Sequence, residues 1–508
     1  MPSVAETFQS AVRQHRAGRL SEAEALYRRV LQAAPDHADA LHLMGLAAAQ
    51  QGRYPAALEL IGKAIRLNDA VPDFHNNLAE AYRALGRIDE ALAAYRRAIA
   101  LAPGFVGAHL NLGGVLCERG LWDQAEACYR NAIAAEPDLA PAHYNLGDVL
   151  KTRGRLDEAV ASLKRAAELA PDMAIAHNNL GATLQLLGRL DQAIDSFRRA
   201  IAVNPDLATA QHNLGVALTD KGRIEEAVMR FRKAIALAPD LAMAHWHLGM
   251  CLFDTEGAEA AAAAFAEAIR HDGKLALAHC YQAMVLDLMG RRDDAAVGFG
   301  RATKLAPELE HTVRGFRYAR AQAPAAPLFG LSTSTLAHAL AAATGDGLYL
   351  EFGVYRGKSI TFLAGLTRRT LHGFDSFIGI PDDWTDDSPR GAYDAGGELP
   401  RVPANVRLHQ GWFADSLPRF LEDHPGPARF LNVDCDLYDS TRTIFSHLGP
   451  RIQPGTVIIF DEYLAYEGWQ RHEYKAFQEF VRDSPHTYEY IGFNIFGRQA
   501  VVRIVARA

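Results

Sequence analysis

Cysteine is sparse in this chain, and the few present do not pair. Five stand at 117, 128, 251, 280 and 435. No two share a C-x-x-C spacing, so neither a metal knuckle nor a disulfide framework is expected, and a reducing cytoplasm fits best. No run approaches the ~18 uninterrupted apolar residues of a membrane span. The opening MPSVAETFQSAVRQHRAG lacks an apolar core before a cleavage site, so no secretory signal is expected. A strong charge of one sign is also missing. The net charge is -7, which gives no basis for bulk binding of nucleic acid. What remains is ordinary globular composition, 49% hydrophobic and 22% charged. The 508 residues suggest about three domains unless repeats intervene.

Repeats do intervene. Prolines at 35, 103, 137, 171, 205, 239 and 307 are spaced by 34 or twice 34. Gly18, Gly52, Gly86, Gly120, Gly154, Gly188, Gly222 and Gly290 keep the same period, as do Gly45, Gly113, Gly147, Gly181, Gly215 and Gly249. Such a period means a stacked helical solenoid. In the stretch Tyr144 to Asp172, Gly147 lets two helices approach and Gly154 ends the first. Leu156, Ala159, Leu163 and Ala166 space an apolar face along the second, and Pro171 stops it. The pattern resembles the tetratricopeptide repeat family. About eight full units and an incomplete first one are expected over residues 4 to about 318, within a repeat domain of residues 1–320.

Two rows of polar residues share this period. Asn77, Asn111, Asn145, Asn179 and Asn213 form a ladder, able to donate to and accept from a peptide backbone without reading its sequence. It is similar to the ladder lining the superhelix of O-linked N-acetylglucosamine transferases, and implies an unknown protein or peptide partner on the concave face. Asparagine simply being common at this point of the repeat is the alternative. His75, His109, His143, His177, His245 and His279 are too far apart to share a metal, roughly 10 Å by helix-packing spacing. They read as helix-surface or packing residues.

After Pro307 the rhythm changes. Residues 321–345 read as a linker, AQAPAAP, and a leading capped helix. Residues 346–508 alternate strand and helix. Strand-like runs are Leu348–Phe352, Leu371–Asp375, Val406–Gln410, Arg429–Asp434, Val457–Asp461, Thr487–Ile491 and Ala500–Val505. The last two suggest an antiparallel hairpin. The fold class expected is an α-solenoid followed by an α/β Rossmann-like domain, with ligands at the carboxyl ends of parallel strands.

Chemistry-bearing residues collect at those ends. Gly353 and Gly357 open a strand-to-helix turn after Glu351, suited to close approach of a ligand to backbone N–H groups. A tight turn without a ligand is the alternative. Asp375, 24 residues after Glu351 and followed by Ser376, is placed to take a ribose diol. Gly411 and Trp412 offer a backbone notch and an aromatic face for a base, though Trp412 could equally be core. Asp434, Asp436, Asp461 and Glu462 are expected to cluster, to raise one another's pKa, and to suit Mg²⁺ or Mn²⁺. Asp439 reads as a helix N-cap and Cys435 as buried. The stretch Pro381 to Pro403 is either a lid over an acceptor or a surface loop.

Together, Glu351-Phe-Gly-Val-Tyr-Arg-Gly-Lys-Ser, Gly373-Phe-Asp-Ser-Phe, Gly411-Trp-Phe-Ala-Asp-Ser-Leu-Pro, Asp434-Cys-Asp-Leu-Tyr-Asp-Ser-Thr and Phe460-Asp-Glu-Tyr resemble the macrocin O-methyltransferase family. That family comprises class I S-adenosylmethionine-dependent enzymes, some acting on sugar hydroxyls with Mg²⁺. The resemblance implies that Glu351, Gly353, Gly357 and Ser359 hold the methionine part of S-adenosyl-L-methionine and that Asp375 takes its ribose. It further implies Asp434, Asp461 and Glu462 as metal ligands and Asp436 as general base. Asp461-Glu462 departs from the family's Asp-Asp pair. Two rival readings are a metal-dependent glycosyltransferase built on Asp434-Cys-Asp436, and a non-catalytic repeat scaffold with a nucleotide-binding domain.

Overall fold

The computed structural model describes residues 2–384 and 388–507. The chain divides into two compact units, Met1–Thr183 and Leu184–Ala508.

The first unit is built of helix pairs, from Val4–Arg16 with Leu20–Ala33 to Ala140–Thr152 with Leu156–Leu169. The first pair is complete, which corrects the expectation of an incomplete first repeat. Its Ser3 caps the opening helix and Glu6 reaches back to the Ser3 N–H, so the unit starts on a full capping box. The periodic glycines act where a side chain cannot fit. A β-carbon on Gly147 would stand 2.5 Å from Leu163 Cγ. Gly154 turns the chain at φ 75. The periodic histidines are structural. The Nε2 atoms of His75, His109, His143 and His177 each bind the carbonyl six residues earlier, at 2.8 to 3.1 Å. Three members of the asparagine ladder reach back to the preceding repeat. Asn77 meets His42 at 2.9 Å, Asn111 donates to Asn76 at 3.3 Å, and Asn179 donates to Tyr144 and Asp148 at 3.2 Å.

The second unit carries Leu190–Val203, three further helix pairs ending at Arg292–Leu305, the helix Leu309–Gln322, and an eight-stranded sheet. The strands are β1 Leu328–Phe329, β2 Leu348–Phe352, β3 Leu371–Asp375, β4 Val406–Gln410, β5 Ala428–Val433, β6 Ile452–Phe460, β7 His486–Asn494 and β8 Ala500–Ala506. Their order is β1-β7-β8-β6-β5-β2-β3-β4. Strands β2 to β6 are mutually parallel, and β8 is antiparallel to β6 and β7. The chain leaves β2 toward β3 on one side and returns as β5 on the other, so the crevice beyond β2 and β5 is the topological switch point. Apolar side chains on both faces explain why the central strands read as unbroken hydrophobic runs. Leu350, Phe352, Leu431, Val433, Ile458 and Phe460 pack on one face, and Tyr349, Phe430, Val457 and Ile459 on the other.

The hairpin and the first three strand spans agree with the sequence reading. Other expectations are corrected. The strand β1 was not foreseen; it pairs with β7 directly after the Ala/Pro stretch. Strands β5 and β6 end one residue early, which leaves Asp434 and Asp461 just past the sheet. The leading helix starts at Ser332 with no side-chain cap. Asp439 is not an N-cap. Leu437 holds that position, and Asp439 sits in the first turn of Tyr438–Leu448, paired with Arg442 at 3.1 Å.

Within this unit the repeats and the sheet pack directly. Tyr281 donates to the Phe496 carbonyl at 2.7 Å and stacks on its ring at 4.5 Å. Asp254 accepts the N–H groups of Gly330 and Leu331. Among the described residues, no helix is long and apolar enough to cross a membrane.

Candidate active site

The site begins with the turn after β2. Glu351 is 1% exposed and accepts from Ser359 Oγ at 2.8 Å and Asn432 Nδ2 at 3.0 Å. Burial pushes its carboxyl up to about 7. Gly353 follows at φ 88, a conformation glycine adopts without steric cost. Gly357 caps the next helix, Lys358–Leu366, at φ 77. Asp375, at the end of β3, braces this turn. One oxygen accepts the N–H groups of Val354 and Tyr355 at 2.8 and 2.7 Å, and the other accepts Phe377 N–H at 2.7 Å. Beside it Ser376 donates to the Gly379 carbonyl at 3.1 Å.

The loop after β5 is stranger. Asp436 is a non-glycine residue at φ 62. It forms the apex of a three-residue turn closed by Leu437 N–H donating to Cys435 O at 2.6 Å. Tight turns of this kind are rare and strained, and such strain gathers at functional sites. Burial, then Asp461, pushes Asp436 up to about 7. Burial, then Asp461 and Asp436, raises Asp434 well above the carboxylate range. Burial also raises Asp461, and burial followed by Asp461 pushes Glu462 up to about 8. Neighbouring carboxylates thus add to burial in raising Asp434, Asp436 and Glu462, whereas burial alone raises Asp461. Cys435 is buried, with Sγ against Thr441 Oγ1 at 3.4 Å.

These elements enclose one cavity of about 400 Å³. Gly353, Asp375, Ser376, Gly411, Trp412, Asp434, Asp436, Asp461 and Glu462 all line it. Glu351, Gly357 and Ser359 are not on its wall; Gly357 ends the turn as the helix cap, and Glu351 and Ser359 bond each other across it. Trp412 is 41% exposed and caps the helix Phe413–Asp423, so it is not core. From the stretch 381–403, Pro381 and Tyr393 line the cavity, and the Tyr393 ring meets Tyr355 edge-on at 5.8 Å. Residues 385–387 of that stretch lie outside the described residues.

Three residues escaped the sequence reading. Arg498 donates to Glu462 at 2.8 Å, and Gln499 donates to Asp461 at 2.6 Å. Glu473, fully enclosed, sits behind both acidic loops. Among the described residues, no three His, Cys, Asp or Glu side chains are grouped as a metal ion needs. Hard oxygen donors are abundant, but Arg498 and Gln499 hold Glu462 and Asp461. The side chains as placed do not fit a ready metal centre. They do fit S-adenosylmethionine: the backbone at Gly353 and Gly411 forms part of the cavity wall, an aromatic face stands at Trp412, and acidic groups oppose a cationic ligand.

A family model for a methyltransferase domain matches residues 350–463. Tetratricopeptide repeat models match residues 105–172, 138–206 and 172–240, and residues 11–72, 42–104 and 212–276. The chain joins tetratricopeptide repeats to a methyltransferase domain. Mycinamicin III 3''-O-methyltransferase of Micromonospora griseorubida is 30% identical over 159 residues, which are 26% of this chain and 61% of that protein. The 8-demethyl-8-(2,3-dimethoxy-alpha-L-rhamnosyl)-tetracenomycin-C 4'-O-methyltransferase of Streptomyces olivaceus is 33% identical over 141 residues, 23% of this chain and 53% of that protein. The chain thus spans between 53% and 61% of the length of these curated relatives. The repeats align with the crystal structure of YrrB, a TPR protein, at 28% identity and a TM-score of 0.33, covering 37% of this chain and 96% of that one. Every predicted cavity residue named above falls inside the matched methyltransferase segment.

Proposed function

We propose that this chain is an S-adenosylmethionine-dependent O-methyltransferase acting on a hydroxyl of a sugar-like or small-molecule acceptor. The observation that carries the reading is the convergence of the Gly353 turn, Asp375, Trp412 and the Asp434–Asp436 and Asp461–Glu462 loops on one cavity at the switch point. The names of the O-methyltransferase relatives support the same chemistry.

In this reading Gly353, Asp375, Ser376, Gly411 and Trp412 contact the cofactor, and Glu351, Gly357 and Ser359 shape the turn. When bound, S-adenosylmethionine supplies an electrophilic methyl group. A hydroxyl is a poor nucleophile until its proton is taken. Asp436 stands in the cavity, 8% exposed, and its carboxylate accepts that proton as general base. The cavity walls hold the acceptor oxygen in line. Magnesium assistance is the finer part of the proposal. Asp434, Asp461 and Glu462 would be its ligands, and Gln499 and Arg498 would first have to release two of them.

For the rest of the chain, the repeats over 1–320 would hold a protein or peptide, with the ladder Asn77, Asn111, Asn145, Asn179 and Asn213 as its surface. Residues 346–508 would form the catalytic domain. Five free cysteines support a cytoplasmic setting. The deciding experiment is calorimetric titration of S-adenosylmethionine into the full chain, with Asp375→Ala as control. Micromolar binding weakened in the variant supports the reading. No binding by the wild type removes it and brings UDP-sugars to the test.

A further inference from the structure

Glu473 opens the helix Glu473–Asp483 and is 0% exposed. Its two oxygens reach two different loops. Oε1 accepts the N–H of Cys435 at 3.4 Å, and Oε2 accepts the N–H of Glu462 at 3.2 Å. Cys435 lies between Asp434 and Asp436, and Glu462 follows Asp461. One side chain therefore ties the loop after β5 to the loop after β6, the two loops that bring the acidic groups to the cavity. Glu473 itself is not on the cavity wall.

The chemistry of the contact selects a carboxylate. Both partners are N–H donors, and the two oxygens of Glu473 face them as acceptors, while burial and then Asp436 raise this carboxyl well above its ordinary range. An amide at 473 would turn its NH₂ group toward one of them. The start of a helix also favours negative charge, which offsets part of the cost of enclosing it. The grip falls at the strained point of the site. Both backbone groups of Cys435 are engaged, its N–H by Glu473 and its carbonyl by the Leu437 N–H that closes the turn over Asp436.

We propose that Glu473 is a positioning residue: it sets the spacing between Asp436 and the Asp461–Glu462 pair without touching acceptor or cofactor. The inference rests on the methyltransferase reading for its consequence, but not for its geometry. The test uses the full chain with Glu473→Gln and Glu473→Asp. Amide hydrogen exchange is followed by mass spectrometry, S-adenosylmethionine affinity by calorimetry, and labelled methyl transfer with methyl α-rhamnoside as a simple sugar probe.

In Glu473→Gln, exchange should speed about tenfold, the equivalent of one lost hydrogen bond, in peptides covering 433–437 and 461–464, with the central strands unchanged. Transfer should fall about as much or more while cofactor affinity stays within about threefold. Glu473→Asp, which keeps a carboxyl group on a shorter arm, should recover part of both. If Glu473→Gln does not fold, Glu473→Asp carries the comparison alone, with partial loss of protection in one or both loops. Unchanged protection in these loops, loss of protection throughout the sheet, or unchanged transfer would overturn the proposal. Absence of cofactor binding by the wild type would sink the methyltransferase reading instead, and the exchange data would still judge the clamp.

Discussion

Gly353 and the backbone carbonyl of Asp434 stand so close that a β-carbon at 353 would lie 1.6 Å from that oxygen. The end of β2 and the end of β5 are thus locked together at the floor of the site, with Gly353 held at φ 88. Gly353→Ala should cost at least the ~1–3 kcal/mol of an overpacked core, lower the melting temperature, and abolish S-adenosylmethionine binding. A variant that melts and binds like the wild type would show the turn to be looser than its geometry indicates.

Asp436→Asn keeps the shape of the side chain and removes its capacity to take a proton. Turnover should fall by about 10²- to 10⁴-fold, the usual range for a lost general base, with cofactor affinity held within a few-fold. Near-normal turnover would take the base role away from Asp436.

Chelation addresses the metal. Turnover should drop in excess chelator and return with Mg²⁺, since an ion would relieve a cluster in which four carboxylates are all raised. Full turnover in chelator would assign charge balance in the cluster to Arg498.

Acid stability has its own group. His372, against His409 and His424, is lowered from 6.5 to about 4 by burial and then by His409. A depressed folded value means that its contribution to stability is present above pH 6.5 and is lost as pH falls through about 4. The melting temperature should therefore decline below pH 6.5, and His372→Phe should flatten that decline. Parallel curves for the two proteins would assign the acid sensitivity to other groups.

In the repeats, Glu126 is a buried hub. Its side chain is 4% exposed and pairs with Arg130 at 2.6 Å, Arg155 at 2.7 Å, and Arg153. Glu126→Ala removes the buried anion shared by three guanidinium groups, leaving them only Asp123 and Glu158, and should cost about 1–3 kcal/mol. An unchanged denaturant midpoint would show the arginines to be satisfied by solvent.

What the sequence made legible, and what it hid, follows from range. The repeats were readable because Gly147 and its counterparts answer a local steric demand that recurs every 34 residues. Strands β2 and β3 were readable because each is short, mostly apolar and bounded by a turn signal, and β4 because Val406 and Leu408 alternate with polar residues. The acidic cavity was readable because its members sit at strand ends, where parallel topology must bring them together. The two-residue β1 carried no periodicity to detect. Glu473, Arg498 and Gln499 belong to a helix start and a hairpin turn, 11 to 38 positions from their partners, so no local pattern linked them to the cluster. The left-handed turn at Asp436 leaves no local signal, because tertiary contacts impose the bend.

The periodic histidines bear on how such an array changes length. Each ring binds a carbonyl six residues back, inside its own repeat, and Gly147 meets Leu163 of that same repeat. The ladder contacts of Asn77, Asn111 and Asn179 each reach back one repeat. Excising one whole 34-residue unit between residues 72 and 169 would bring equivalent faces together and rebuild every contact type. Removing 33 or 35 would rotate the helix faces out of phase. Size in this part of the protein is therefore quantised, and gene duplication or loss can lengthen or shorten it without a new fold.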